Sequence, residues 1–443
     1  MDTATWTSPG LPVSRRDRRA RLGAAGAYFV QGLCFAALLT QVPALKERFG
    51  FSDGQLAIIL LAVPVVAGVG SLLAGALAAR LGSALVLRIA GPGVCLAVAA
   101  VGIAPVRPVL YLAVALFGLV VGAVDATMNM QGVAVQRRYG RSILASFHAW
   151  WSLAGIAGSL WTAASARLDL SLDVALSIAA LSGLALALAA GPLLLRRGEE
   201  LGRGDEVASV GETGASSEEG AGSDRDLPGE PDAGTAPGRA AIRWDLILLI
   251  GLAVMAMYIA ESATSNWSAV YLHDELLASR SVAALGLAAY LACQLAGRAV
   301  ADRVVQRFGP VATVAAGGAA GAAGMALVAV APVPAVGVVG FAIVGLGLCV
   351  VVPQAFSAAG ALDTTGTGVA IARVNLFNYI GFVVGAALIG AVAEWAGLRF
   401  AFVVPAVLAL GVVALARAFR PLPADGGEAV AGAAGEAVGA PDG

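Results

Sequence analysis

The chain has 443 residues, of which 59% are hydrophobic and only 13% charged, a composition that excludes an ordinary water-soluble globular domain. A net charge of −1 gives no basic footprint for nucleic acid. The four cysteines, Cys34, Cys95, Cys293 and Cys349, form no CxxC pair, so neither a disulfide frame nor a zinc site is expected and they read as packing residues.

Taken in chain order, twelve apolar stretches fall near 22–45, 55–79, 84–104, 108–136, 142–165, 172–195, 244–270, 281–303, 310–331, 333–360, 366–393 and 398–419. Each has roughly the 20 residues that a helix needs to cross a hydrocarbon core of about 30 Å. Backbone amides in lipid must bond within their own segment, and barrel strands would be shorter and alternating. The fold class predicted is therefore all-α integral membrane, with twelve transmembrane helices in two six-helix bundles.

Residues 1–21 read as a cytoplasmic tail, 22–197 as the first bundle, 243–420 as the second and 421–443 as a disordered tail. The segment 198–242 between the bundles is rich in Gly, Ser and Pro and acidic, the composition of a disordered linker. Arginines 15, 16, 18, 19 and 21 read as a topology anchor. Most basic residues lie on the side of this anchor; the other side holds only Lys46, Arg48, Arg107, Arg167, Arg280 and Arg399. Both termini are expected in the cytoplasm of a cell carrying the chain in its plasma membrane.

The halves look like copies. GALAARLG begins at Gly75 and GRAVADRVVQRFG at Gly297, 222 residues later; Gly155 and Ser159 correspond to Gly381 and Gly385 at an offset of 226. Parallel repeats flanking a midplane site are one transporter plan.

Ionisable side chains inside the spans are the candidate functional residues. Asp125 lies about 18 Å from Arg137 along the helix and shares a stripe with Gly118, Gly122 and Asn129, the glycines admitting a neighbouring helix. A carboxylate there needs a partner, a wet cavity or a proton, so Asp125 is the candidate for proton coupling. Glu261 is the second candidate, with Ser265, Asn266 and Trp267 nearby and a hydrated outer end as its alternative. His148 reads as a proton relay with Asp125 or as a neutral interhelical hydrogen-bonding group. Trp150 and Trp151 beside it read as packing or as a wall for a substrate ring. Arg373, with Asn375, Asn378 and Tyr379, makes the eleventh span polar; its guanidinium is expected to meet Asp125, Glu261 or an anionic substrate. Gln354 is assigned roughly the repeat position of Asp125.

The loop carrying Gly297, Arg298, Asp302, Arg303 and Gly309 resembles the G-x-x-x-D-R-x-x-x-R-x-G signature of the major facilitator superfamily, and this resemblance implies a cytoplasmic gate at Gly297, Arg298, Asp302 and Arg303. The first-half copy has Ala79 before Arg80, without an acidic residue. GAVDATMNMQG at 122–132, SFHAWWSLAGIAGS at 146–159, VVPQAFSAAG at 351–360 and GFVVGAALIGAVAEWAGLR at 381–399 resemble the bacterial fucose-permease-like group. In its sugar:proton symporters an acidic residue in helix four, followed four positions later by Asn, takes part in transport, which implies that role for Asp125 and Asn129. Helix one offers Gln31 and Gln41 but no acidic residue at mid-span.

The function expected is secondary transport of a small solute by alternating access, coupled to protons and directed at a sugar or other small polar solute. The alternatives are a proton-driven exporter of hydrophobic compounds, with Trp150, Trp151 and Phe377 lining its cavity, and a non-transporting membrane receptor or assembly protein. The spans contain no metal cluster, nucleophile elbow or phosphate loop, so no enzyme and no cofactor are expected. The partners expected are a small-molecule substrate, a proton and the lipid bilayer, with no nucleic acid, and a monomer.

Overall fold

Among the described residues, ten helices are long and apolar enough to cross a membrane, by length and composition, and two more of spanning length accompany them. The computed structural model describes residues 13–200, 243–363 and 366–421; nearly all of the expected linker and of the C-terminal tail, and residues 1–12 of the N-terminal tail, lie outside these. The first half comprises α1 (Arg15–Leu39), α2 (Asp53–Leu81), α3 (Ser83–Ile103), α4 (Arg107–Tyr139), α5 (Leu144–Arg167) and α6 (Leu172–Ala190). The second comprises α7 (Trp244–Val270), α8 (Arg280–Phe308), α9 (Pro310–Ala329), α10 (Pro334–Leu362), α11 (Val369–Ala396) and α12 (Leu398–Phe419). A short helix, Val42–Phe49, joins α1 to α2.

Local chemistry sets the helix ends. Ser14 and Asp17 form a capping box that starts α1 seven residues before the expected span, so several arginines read as a loose anchor are helical. Ser52 and Gln55 start α2 in the same way. Gly82 and Gly309, at φ 85° and 78°, end α2 and α8 and turn the chain directly into α3 and α9, a conformation open to glycine and strained for other residues. Within α10 the helix is interrupted between Leu348 and Val351. Pro353 has no N–H for the Cys349 carbonyl four residues earlier, which accounts for the break.

The internal repeat is visible in the packing. α1 lies on α5 as α7 lies on α11, and α2 lies on α4 as α8 lies on α10; α3 and α9 pack against α6 and α12 respectively. Gly122 of α4 meets the carbonyl of Ala67 in α2 with no room for a Cβ, and Gly345 of α10 meets the carbonyl of Tyr290 in α8 likewise. Gly158 packs on Leu33 of α1, as Gly381 packs on Met255 of α7. Gly122 and Gly345, Gly158 and Gly381, and Ala67 and Tyr290 are each 223 residues apart. This corrects the expected register in α5 and α11: Gly155 has no atom near the place of its missing Cβ, and Gly158 is the packing glycine. In the corrected register Gln354 corresponds to Gln131 rather than to Asp125, whose counterpart is the apolar Leu348.

The two spanning helices outside the set of ten are α5 and α8. They carry His148, Ser152 and Ser159, and Gln294, Arg298, Asp302, Arg303 and Gln306, and they pack on each other across the seam between the halves. His148, Gln294 and Arg298 are buried by protein, whereas Ser159, Arg303 and Gln306 are exposed; the covered part of each polar face has no need of an apolar surface.

Candidate transport site

Asp125 sits in the middle of α4, where the glycine stripe predicted from the sequence lets α2 approach: Gly118 lies against the Val63 carbonyl and Gly122 against that of Ala67. This turns Asp125 toward α1 and the seam. Its Oδ1 accepts a hydrogen bond from Gln31 Nε2 at 2.7 Å, and its Oδ2 accepts from the Tyr379 hydroxyl of α11, in the other half. Trp151 Nε1 donates in turn to Gln31 Oε1. Asn129 donates to the Asp125 backbone carbonyl at 2.8 Å and accepts from the Tyr28 hydroxyl at 2.7 Å. The pair singled out by its four-residue spacing therefore joins one network with α1, α5 and α11.

Glu261 of α7 anchors a second cluster. Tyr290 and Gln294 of α8 are its hydrogen-bonding neighbours, and Arg298 is its charged neighbour. Gln294 Nε2 donates to the Tyr290 hydroxyl at 2.9 Å. Tyr258 of α7 is near enough to both clusters to feel the charges of Asp125 and Glu261. The hydrated-end alternative for Glu261 thus gives way to a position among polar side chains of α7 and α8.

Two expectations are corrected here. Arg373 is exposed, and among the described residues no carboxylate pairs with it; its position on α11 turns it away from the seam that Asn375 and Tyr379 face. The cation beside Glu261 is Arg298, expected at the cytoplasmic gate. Its residue is only 4% exposed, and its Nη1 donates to Ser152 Oγ of α5 at 2.8 Å. Lying one turn before Asp302 on the helix, Arg298 points into the bundle instead of joining the gate.

The remaining candidates divide. Asn375 Nδ2 donates to Ser71 Oγ of α2 at 3.1 Å, a second bond across the seam, and Asn378 Nδ2 approaches Asn375 Oδ1 at 3.5 Å. Asn266 is exposed and bonds back to the Ser262 carbonyl at 2.9 Å, away from both clusters. His148 makes no hydrogen bond to Asp125; its ring stacks parallel on Phe356 of α10, with centroids 6.2 Å apart, and meets the edge of Tyr28 at 5.1 Å. Gln354 is buried with its Nε2 unpaired. Phe377 packs on Gly251 within the second half, and Trp150 lies against Phe29, so neither joins Trp151 at the network. Tyr258 and Tyr290 escaped the sequence reading because a tyrosine in an apolar span carries no distinctive spacing.

Between this level and the ends where α4 and α8 terminate, the halves are sealed. Asp302 accepts from Ser142 Oγ, Ala145 N and Ser146 N at 3.0, 3.1 and 2.9 Å, satisfying amides at the start of α5 with an anion. Gln306 donates to the Ser142 carbonyl at 2.6 Å and Gln136 to Ser357 Oγ at 2.5 Å. Arg137 reaches the carbonyls of Gly360 and Asp363. Gly297 packs on Leu346 and Cys349 of α10. Arg303 is exposed. In the first half, where the turn after α2 lacks an acidic residue, Glu200 reaches the start of α3: its Oε1 accepts from Ser83 N at 3.0 Å, Ser83 Oγ at 2.8 Å and Gln131 Nε2 at 3.1 Å. Its neighbour Glu199 is paired with Arg16 at 2.6 Å.

Twin six-helix bundles meeting around polar side chains at mid-depth define a membrane transporter of the two-bundle class. The sequence pattern of the Major Facilitator Superfamily matches residues 4–159 and 249–440, and the chain belongs to that family. Its relatives are transporters, not enzymes. An uncharacterised MFS-type transporter of Yersinia pestis is 30% identical over 396 residues, covering 88% of this chain and 94% of the relative. Among solved structures, FucP, the E. coli fucose:proton symporter, is similar in its outward conformation with a TM-score of 0.68 at 14% identity, covering 91% of this chain and 99% of FucP. The human organic anion transporter MFSD10 gives a TM-score of 0.67 at 17% identity, covering 90% and 99%.

Proposed function

We propose that this protein is a proton-coupled transporter of a small polar solute, working by alternating access with Asp125 as its proton-binding group. The observation that carries this reading is the placement of Asp125, whose carboxylate is bonded both within its own half, to Gln31, and across the seam, to Tyr379. An ionised carboxylate only accepts hydrogen bonds, whereas a protonated one must donate at one oxygen. Taking up a proton therefore changes a bond that holds the halves together, which is the link that coupling requires. FucP, a fucose:proton symporter by name, supports a polar solute and a proton as the cargo. The chain acts as a monomer in the plasma membrane with both termini in the cytoplasm. On this reading the seal on the side of the termini closes the site to the cytoplasm.

The test is transport into proteoliposomes with an imposed proton gradient. Asp125→Asn should abolish gradient-driven accumulation while leaving solute counterflow measurable. A variant that accumulates solute like the wild type under the gradient would remove Asp125 from coupling.

A further inference from the structure

Two buried nitrogens on helices that pack together across the seam have no hydrogen-bond partner: Nε of Arg298 in α8 and Nε2 of His148 in α5. Both residues are more than nine-tenths buried. They share one corner, because Arg298 Nη1 donates to Ser152 Oγ at 2.8 Å, and Ser152 Oγ in turn donates to the His148 backbone carbonyl at 3.1 Å. A buried polar group without a partner costs on the order of 1–3 kcal/mol, more when it is charged. Two such groups, tied to one another through Ser152, mark a place where a partner is to be supplied from outside the protein.

Building on the transport reading above, we propose that the Arg298–His148 corner is a specificity-determining subsite that receives an uncharged oxygen acceptor of the solute, a hydroxyl or carbonyl oxygen. The Arg298 N–H donates to that oxygen, and His148 bonds the same group through Nε2. The absence of formal charge follows from the neighbours. Glu261 is the acidic neighbour of the guanidinium, so a carboxylate arriving here would bring a further negative charge near Glu261, and like charges close together in a poorly solvated site are unfavourable. Ser152 supplies the geometry by holding the far end of the guanidinium. Phe356, stacked flat on the imidazole, is the side chain that swings aside to admit the solute.

The experiment uses the full-length chain. A thermal-shift comparison of neutral L-fucose and D-xylose with the carboxylate D-glucuronate identifies the probe, whose uptake is then measured in proteoliposomes. The neutral compounds should stabilise the protein and the carboxylate should not. Arg298→Lys keeps the charge that balances Glu261 but loses the Nε–H; it should raise KM by about tenfold, the equivalent of ~1.4 kcal/mol, with Vmax little changed. His148→Gln, which retains a donor, should be milder than His148→Ala. Wild-type KM in Arg298→Lys, or tighter binding of the carboxylate, overturns the proposal. If none of the three compounds is bound or transported, the solute class in the reading above falls, and the corner is judged by a high-resolution map of the wild type. An ordered water or solute oxygen bonded to both nitrogens sustains the subsite, and a dry corner sinks it.

Discussion

The hydroxyl of Tyr379 in α11 donates to the carboxylate of Asp125 in α4, joining the two halves at the level of the polar network. Tyr379→Phe keeps the ring and removes that bond. A net loss of about 1 kcal/mol corresponds to roughly a fivefold shift in a two-state equilibrium. Spin-label distances across the terminus side should report a larger fraction of separated halves in this variant. Distances unchanged from the wild type would show that the bond does not hold the closed state.

Asp302 sits over the first amides of α5 with three acceptor contacts. Asp302→Ala leaves those amides without an anion, at a cost on the order of 1–3 kcal/mol. Asp302→Asn keeps one carbonyl oxygen and should fall between the variant and the wild type. The same distance measurement, ordered wild type, Asn, Ala by increasing separation at the terminus side, checks the gate role carried by the signature loop.

Helix contacts across the repeat predict a contrast between glycines. Gly122→Ala and Gly345→Ala force a methyl group onto a neighbouring backbone carbonyl, and overpacking of this kind costs about 1–3 kcal/mol or more. Gly155→Ala meets open space and should be neutral or slightly stabilising, since Ala is the better helix former by up to about 1 kcal/mol. Thermal unfolding in detergent measures all three. Equal melting temperatures for Gly122→Ala and Gly155→Ala would contradict the packing described.

Two adjacent glutamates should titrate in opposite senses. The Arg16 guanidinium holds the Glu199 carboxyl down at about 2, against an ordinary value of 4.5. Its contribution to stability is present above pH 4.5 and is lost as pH falls toward 2. Partial burial pushes Glu200 above its ordinary value, so its ionisation weakens the folded state as pH rises through the raised value. Glu200→Gln keeps an acceptor oxygen for Ser83 and should match or exceed wild-type stability at pH 7. Glu199→Gln should lower it there by less than about 1 kcal/mol, as expected of a part-exposed ion pair. Melting curves between pH 2 and 8 decide both points.

Twelve spans and their division into halves were legible because lipid imposes a length and an apolar composition that a single sequence displays. Asp125, Asn129 and their glycine stripe were legible for a related reason: a carboxylate four residues from an amide, on a face of small residues, has few places to go inside a membrane. Pairing between helices was not legible. Arg373 looked like the natural partner of a buried acid, and nothing in its spacing shows that it points away from the seam while Arg298, within the loop signature, points inward. The repeat register slipped for a similar cause. Gly155 and Gly158 lie in one short run, and only the approach of Leu33 distinguishes the glycine that packs from the one that faces open space.

The two spanning helices outside the apolar set of ten lean on partners made at different times. α5 packs chiefly on α1, which has left the ribosome before it. The main partner of α8 within its own half is α10, which is still unsynthesised when α8 emerges. Biogenesis is therefore unequal in the two halves: α5 enters a bilayer where its support is waiting, whereas α8 must remain beside α7 or the insertion machinery until Pro334 and the residues after it follow. A nascent chain arrested before that point has its second half least secured at the helix that carries Arg298.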